Sequence, residues 1–106
     1  MIIYNVTVNV DEEVLNSWLD WMIKKHIPDV LDTGLFIECK LSKILAEEAG
    51  GSSYSIQYLL NNWEDYNLYQ SKYATNLQKE HLQKFGNKCV AFRTLLRVDK
   101  VFTPHV

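Results

Sequence analysis

Residues 35–60 read LFIECKLSKILAEEAGGSSYSIQYLL, and the fold turns on how this stretch is divided. Leu35, Ile37, Cys39 and Leu41 alternate with less apolar neighbours, the period of a strand with one wet face. Leu41, Ile44, Leu45 and Ala49 have helical spacing instead, in residues that favour helix, so residues 42–49 are compatible with either. Gly50-Gly51-Ser52 is a turn signal, and a second alternation follows it in Tyr54, Ile56, Tyr58 and Leu60. Two alternating runs around a glycine turn predict a β-hairpin, and the strand reading is preferred.

Working outward, Ile2, Tyr4, Val6, Val8 and Val10 alternate with Ile3, Asn5, Thr7 and Asn9, which predicts a first strand. Asp11 offers an N-cap, with Glu12 and Glu13 well placed in the first turn. From Val14 the apolar residues change to a spacing of about 100° per residue, and Leu15, Trp18, Leu19, Met22 and His26 share one helical face. Pro28 disfavours a helical conformation at Ile27, so the helix is expected to kink or break there, with a further turn over Asp29–Asp32 ended by Gly34. Beyond the hairpin, Asn61-Asn62 caps a helix from about Trp63 to Phe85, stopped by Gly86, with Tyr66, Tyr69, Tyr73, Leu77 and His81 inward. A last strand alternates Val90, Phe92, Thr94, Leu96 and Val98 with Ala91, Arg93, Leu95 and Arg97. The order β-α-β-β-α-β predicts an α+β, ferredoxin-like domain, a four-stranded antiparallel sheet with two helices on one face. Tyr4, Val6, Ile37, Tyr58 and Phe92 are expected beneath the helices. The opposite face is expected to carry Asn5, Thr7, Glu38 and Lys40 with Ser55, Gln57, Arg93 and Arg97.

The chain has 106 residues, so 1–106 is read as a single domain with enough core to fold without staples. Eleven Lys and Arg against thirteen Asp and Glu give 11 − 13 = −2, which advertises no polyanionic partner. No stretch approaches a membrane span and no basic leader opens the chain, so the expected setting is a reducing cytoplasm. Cys39 and Cys89 have neither metal-ligand spacing nor the number of a disulfide framework, and read as half-buried strand residues. No metal and no cofactor is implied. Gly50-Gly51-Ser52 lacks the helix and lysine of a phosphate loop, and Glu12-Glu13 and Glu47-Glu48 read as solvated charges. A Ser-His-Asp arrangement cannot be assembled from three scattered histidines.

The polar sheet face has three possible uses. An RNA-binding sheet stacks bases on outward aromatics. Here Tyr4, Tyr54 and Tyr58 have the parity of the covered face and the charge balance is acidic, so that use is rejected. The face is then either solvated or pressed against a second copy, closing an eight-stranded barrel. In the second case Asn5, Glu38, Gln57, Arg93 and Arg97 form the dimer interface, with Arg93 and Glu38 as a charge pair.

Met1 through Thr7, Trp18 through Trp21, His26-Ile27-Pro28 and Thr33 through Phe36 resemble a small bacterial family of unknown function within the dimeric α/β-barrel superfamily. Tyr54 through Tyr58, Phe85 through Lys88 and Ala91 through Thr94 carry the same resemblance, so it threads nearly the whole chain. It implies the ferredoxin-like fold and a homodimeric barrel. The superfamily includes cofactor-independent monooxygenases, haem-degrading enzymes, isomerases and ligand binders, which use a cleft between helices and sheet. The haem-degrading branch uses a strand-one Asn with a Trp and a His on the second helix. Asn5, Trp63 and His81 match that set superficially, but Asn5 has the wrong parity for the cleft, and the site is not carried over.

All six tyrosines are assigned to the layer between helices and sheet, an excess of hydroxyl-bearing rings for an aliphatic core. They line either a partly hollow aromatic pocket or a filled core with hydroxyls reaching solvent. Tyr4, His26, Tyr54, Tyr58 and Tyr73 are the candidate ligand-binding residues, and His26 is the candidate catalytic base. The bland reading of His26 is a ring bonded to a free carbonyl at a helix end. The expected function is binding of a small apolar or aromatic molecule in the cleft. The alternatives are a cofactor-independent monooxygenase or isomerase in the same cleft, and a non-catalytic protein-interaction module with a filled core.

Overall fold

The computed structural model describes residues 1–46 and 48–105. Glu47, read above as a solvated turn charge, lies outside the described residues, as does Val106. β1 (Ile2–Asp11) leads into a 3-10 turn over Glu12–Val14 and then α1 (Leu15–Trp21). A π-turn over Met22–His26 joins α1 to α2 (Ile27–Leu31). The hairpin is β2 (Glu38–Lys43) and β3 (Gly51–Leu60), followed by α3 (Trp63–Tyr69), a second π-turn over Gln70–Ala74, and α4 (Thr75–Phe85). A 3-10 turn over Gly86–Lys88 then delivers β4 (Cys89–Arg97). The strands pair antiparallel in the order β2-β3-β1-β4. The result is the ferredoxin-like α+β architecture predicted from periodicity, with α1–α2 and α3–α4 as its two helical rods.

The strand reading of the deciding stretch holds through Lys43. Residues 44 to 46 and 48 to 50 form a loop and turn rather than a helix. Gly51 opens β3 opposite Asp11, where a Cβ would sit 2.6 Å from the Val10 carbonyl oxygen, so only glycine lets the strands close there. The Asp11 carboxylate accepts from the Glu13 backbone N–H at 2.9 Å, and the Asn62 side chain accepts from that of Asp65 at 2.9 Å. These two caps set the starts of the helical rods. Gly86, at φ +57°, ends the second rod in a conformation that L side chains rarely adopt.

Pro28 does not break the first rod. Ile27 stays helical (φ −62°, ψ −46°), and its N–H reaches back five residues to the Met22 carbonyl. The π-turn widens the helix just before the proline, and Pro28 stands in the first turn of α2 where its missing N–H costs little. The second π-turn corrects the inward stripe of α3–α4. Tyr69 is followed on the buried face by Ala74, five residues on, so Tyr73 turns aside and is only half-buried. A π-turn inserts one residue into the helical period, which a strict 3.6-residue count does not register.

Alternate residues of β1 and β3 make the floor of the core. Tyr4, Val8 and Val10 of β1 and Ile56, Tyr58 and Leu60 of β3 are buried beneath Trp18, Met22, Val30 and Tyr69. β4 departs from expectation. Its register pairs Val6 with Arg93 and Thr7 with Phe92, so Arg93 and Arg97 take the helix side and Phe92 the open side. Phe92 is therefore 62% exposed rather than packed beneath the helices. Ile37, just before the edge strand β2, is 45% exposed rather than packed beneath the helices. The open face carries Asn5, Glu38 and Gln57 as expected, together with an apolar stripe of Val90, Phe92 and Leu96 along β4.

Candidate functional site

The space between helices and sheet is not completely filled. A cavity of about 60 Å³ lies between the helix side of β1 and β4 and the inner faces of the two rods. Tyr4, Tyr58, His26, Tyr69, His81 and Arg93 supply the chemistry of its wall, and Met22, Ile56 and Ala91 supply apolar surface. Both π-turns stand beside it: Met22 and His26 are the ends of one, and Tyr69 precedes the other. Such turns re-aim side chains that a regular helix would point elsewhere. Beside the roughly 150 Å³ of an apolar cavity that holds benzene, this one is small. It takes the head of a ligand, and a larger body has to extend toward the exposed edge at β4.

Three of the predicted ligand residues, Tyr4, His26 and Tyr58, meet at this cavity. Tyr54 and Tyr73 do not. Tyr54, opposite Val8, packs against Trp18 with ring centres 5.4 Å apart and belongs to the filled part of the core. Tyr73, displaced by the π-turn, faces a shallow groove with Asp29 and Asp32 on the outside of the rods. The dimer-face assignment is corrected for Arg93 and Arg97. Arg93 Nε donates to the Tyr4 hydroxyl at 2.9 Å, and Arg97 Nε donates to the Asp99 carboxylate at 2.8 Å. Glu38 cannot pair with Arg93 within the chain, since β2 and β4 are opposite edges of the sheet.

The two histidines come from different rods and sit 5.9 Å apart, ring centre to ring centre. Trp18 Nε1–H donates to His81 Nε2 at 2.9 Å, so neutral His81 carries its proton on Nδ1. Trp21 stacks on His26 at 5.0 Å and, with Phe85, closes the outer end of the cluster. His26 Nδ1 is buried and has no hydrogen-bond partner among the described residues. A polar atom in that state is costly unless something supplies the missing bond. Burial, with smaller contributions from His81, Lys25 and Arg93, pushes the His26 pKa down to about 4, although Asp29 opposes this. Burial and Arg93 lower His81 as well. Both rings are therefore neutral at pH 7. His26 is a weak base there, but one able to accept a proton.

Burial raises the ionisation of Tyr58 and Tyr69 well above the ordinary phenol range, so both are hydrogen-bonding groups rather than phenolates. Cys39 is pushed up to about 12 by burial and by Glu38, and Cys89 to about 11 by burial and by Asp11. Neither is a reactive thiolate, and both are free thiols on opposite edge strands. Among the described residues no three of His, Cys, Asp and Glu are grouped to hold a metal ion. Asn5, Trp63 and His81 do not converge. Asn5 is tied to Thr7 and Ser55 on the open face, and Trp63 is 50% exposed at the start of α3.

Sequence reasoning placed Tyr69 and His81 on the inward stripe without assigning them to the site, and it put Arg93 on the open face. His81 was within reach, because it follows Tyr73 and Leu77 at helical spacing. Arg93 was not, because both phases of β4 contain apolar residues and only the pairing with β1 decides which faces the helices.

A family model described as a domain of unknown function, DUF4286, matches residues 1–99. The chain belongs to this family. No protein of curated function matches its sequence at a significant level. Solved structures similar to this DUF4286 chain include a dimeric ferredoxin-like protein from an uncultured marine organism, 17% identical, with TM-score 0.69 over 98% of this chain and 100% of the other. A second dimeric ferredoxin-like protein of the same kind of source is 7% identical, with TM-score 0.71 over 95% and 97%. A protein from Bacillus cereus described as a candidate antibiotic biosynthesis monooxygenase is 14% identical, with TM-score 0.66 over 97% of each chain. At these identities the likeness concerns the fold. Among the described residues of this DUF4286 chain no helix is long and apolar enough to cross a membrane.

Proposed function

We propose that this DUF4286 chain binds a small molecule with an apolar or aromatic body in the cleft between helices and sheet, and that it does so as a homodimer. The observation that carries the first part is a cavity that the core leaves open, lined in part by His26, whose buried Nδ1 has no hydrogen-bond partner among the described residues. A filled core of an interaction module has no reason to keep such an atom dry and unpaired. Support for the second part is the exposed stripe of Val90, Phe92 and Leu96 on the open face, continuous with Asn5 and Gln57 across the sheet. Two structural neighbours are described as dimeric, and apposed sheets would cover that stripe and close the barrel. Native mass spectrometry of freshly purified protein tests both parts. The expected result is a dimer with a reproducible small extra mass that a Tyr58→Phe, His26→Ala variant retains less well. A persistent monomer at micromolar concentration overturns the barrel, and a dimer with no displaceable mass and no response to added ligands overturns the cleft.

A second reading is favoured by the same histidine. A neutral ring sharing the cavity wall with three tyrosines and an arginine could take a proton from an activated phenol or enol while Arg93 steadies the oxyanion, the first step of a cofactor-independent oxygenation or isomerisation. Oxygen uptake or isomerisation of a phenolic substrate without added metal, lost in His26→Ala, is expected on this reading. Retained turnover in that variant removes His26 as the base.

A further inference from the structure

We infer that the group entering the cavity is an anion, a carboxylate or a comparably delocalised oxyanion, and that Arg93 is its anchor. The inference rests on the ligand-binding reading above and names the class of ligand.

The charge pattern of the cavity wall is one-sided. Arg93 is the formal charge on it, and no Asp or Glu stands among the residues that line it. Arg93 makes no ion pair among the described residues, whereas the other arginine, Arg97, has the Asp99 carboxylate within reach. Asp29, whose charge acts on His26, is already held by Lys25 at 2.6 Å. An arginine on an edge strand without a carboxylate is ordinarily free to swing into water. This one is tethered instead, because its Nε donates to the Tyr4 hydroxyl at 2.9 Å and the Tyr4 ring is buried beneath Tyr66 and Tyr69. The tether uses one edge of the guanidinium, and the terminal nitrogens, the pair that recognises carboxylates two-pronged, make no hydrogen bond among the described residues.

Size leads to the same class. A space this small favours a compact planar head group over a ring. The apolar body would then lie outward, over Ala91 and the β4 edge, where the protein is exposed. Near neutral pH neither histidine adds a competing charge, so the arginine alone sets the preference for charge in the ligand.

The test uses benzoate and its neutral analogue of similar shape, benzamide, titrated into the full chain and followed by amide NMR shifts. The expected result is that benzoate binds roughly tenfold more tightly than benzamide, the scale of one charge-assisted contact, with shifts centred on Tyr69, His81 and Arg93. Arg93→Gln is expected to erase the preference and Arg93→Lys to keep part of it, so that loss of charge is separated from loss of fold. Equal binding of the two probes, or a preference that survives Arg93→Gln, overturns the anion assignment and leaves the cleft standing. Failure of both probes to shift any cavity residue at millimolar concentration overturns the cleft itself, and this inference with it.

Discussion

β1 and β4 lie side by side, pair residue for residue, and alternate in sequence with equal regularity, yet they have opposite fates. β1 is central, and every second residue of it is buried. β4 is an edge, and apart from Cys89 all of it is exposed, on both faces. Alternation alone thus says that a strand has two unlike faces, and it does not say which face the protein covers. For β1 the answer is forced, since Asn5, Thr7 and Asn9 could not lie under helices without partners while Tyr4, Val6 and Val8 could. For β4 both phases tolerate either side. The phase richer in large apolar residues, Val90, Phe92 and Leu96, ended on the face away from the helices, where only a second molecule could bury it. The other phase brought Arg93 to the cavity.

The sharpest way to break this contrast is to truncate a residue of the covered face. Leu60, fully buried on β3 opposite Ile2, is expected to cost about 2–5 kcal/mol as Leu60→Ala. Urea denaturation measures it, and a loss below about 1 kcal/mol would mean the helices do not seal that face.

Next in size is a pH effect. The His26 ring is harder to protonate in the fold, at about 4, than in the unfolded chain, near 6.5. Its contribution is therefore complete above pH 6.5 and is lost progressively as the pH falls toward 4, by on the order of 2–3 kcal/mol. His81, lowered for the same reason, adds in the same direction. Urea melts at pH 7 and pH 4.5 are expected to show the difference, and His26→Phe to flatten it. A slope unchanged in that variant would assign the acid sensitivity elsewhere.

A smaller effect is expected from Asn62→Ala, about 1 kcal/mol, through the lost cap at the start of α3. Thermal melts that do not move would show that tertiary contacts, and not the cap, hold that end. The smallest effect on the chain itself belongs to β4. Phe92→Ser is expected to change stability by less than about 0.5 kcal/mol at dilutions where the protein is monomeric. Sedimentation velocity at higher concentration is expected to show weakened self-association. A loss above about 2 kcal/mol in the dilute protein would place Phe92 inside the protomer after all.

What was legible in the sequence follows from local rules. The first strand, the hairpin around Gly51, the caps at Asp11 and Asn62, and the glycine stop at Gly86 each rest on residues close in the chain. Their order alone led to the ferredoxin-like sheet. Half of the candidate site was legible for the same reason, since the parity of Tyr4 and Tyr58 and the helical position of His26 come from single elements. The rest depends on how elements meet. Each of the two π-turns shifted the helical phase by one residue, and the second moved Tyr73 off the buried face. The β1–β4 register, not the composition of β4, put Arg93 on the cavity and Phe92 on the open face. The sequence by itself determined which segments are helix and strand and in what order they pack, because those choices are made within a few residues. Only the tertiary structure decided that His26, His81, Tyr4 and Arg93 share one small space, because their meeting requires two helical rods and two strands to be placed against one another.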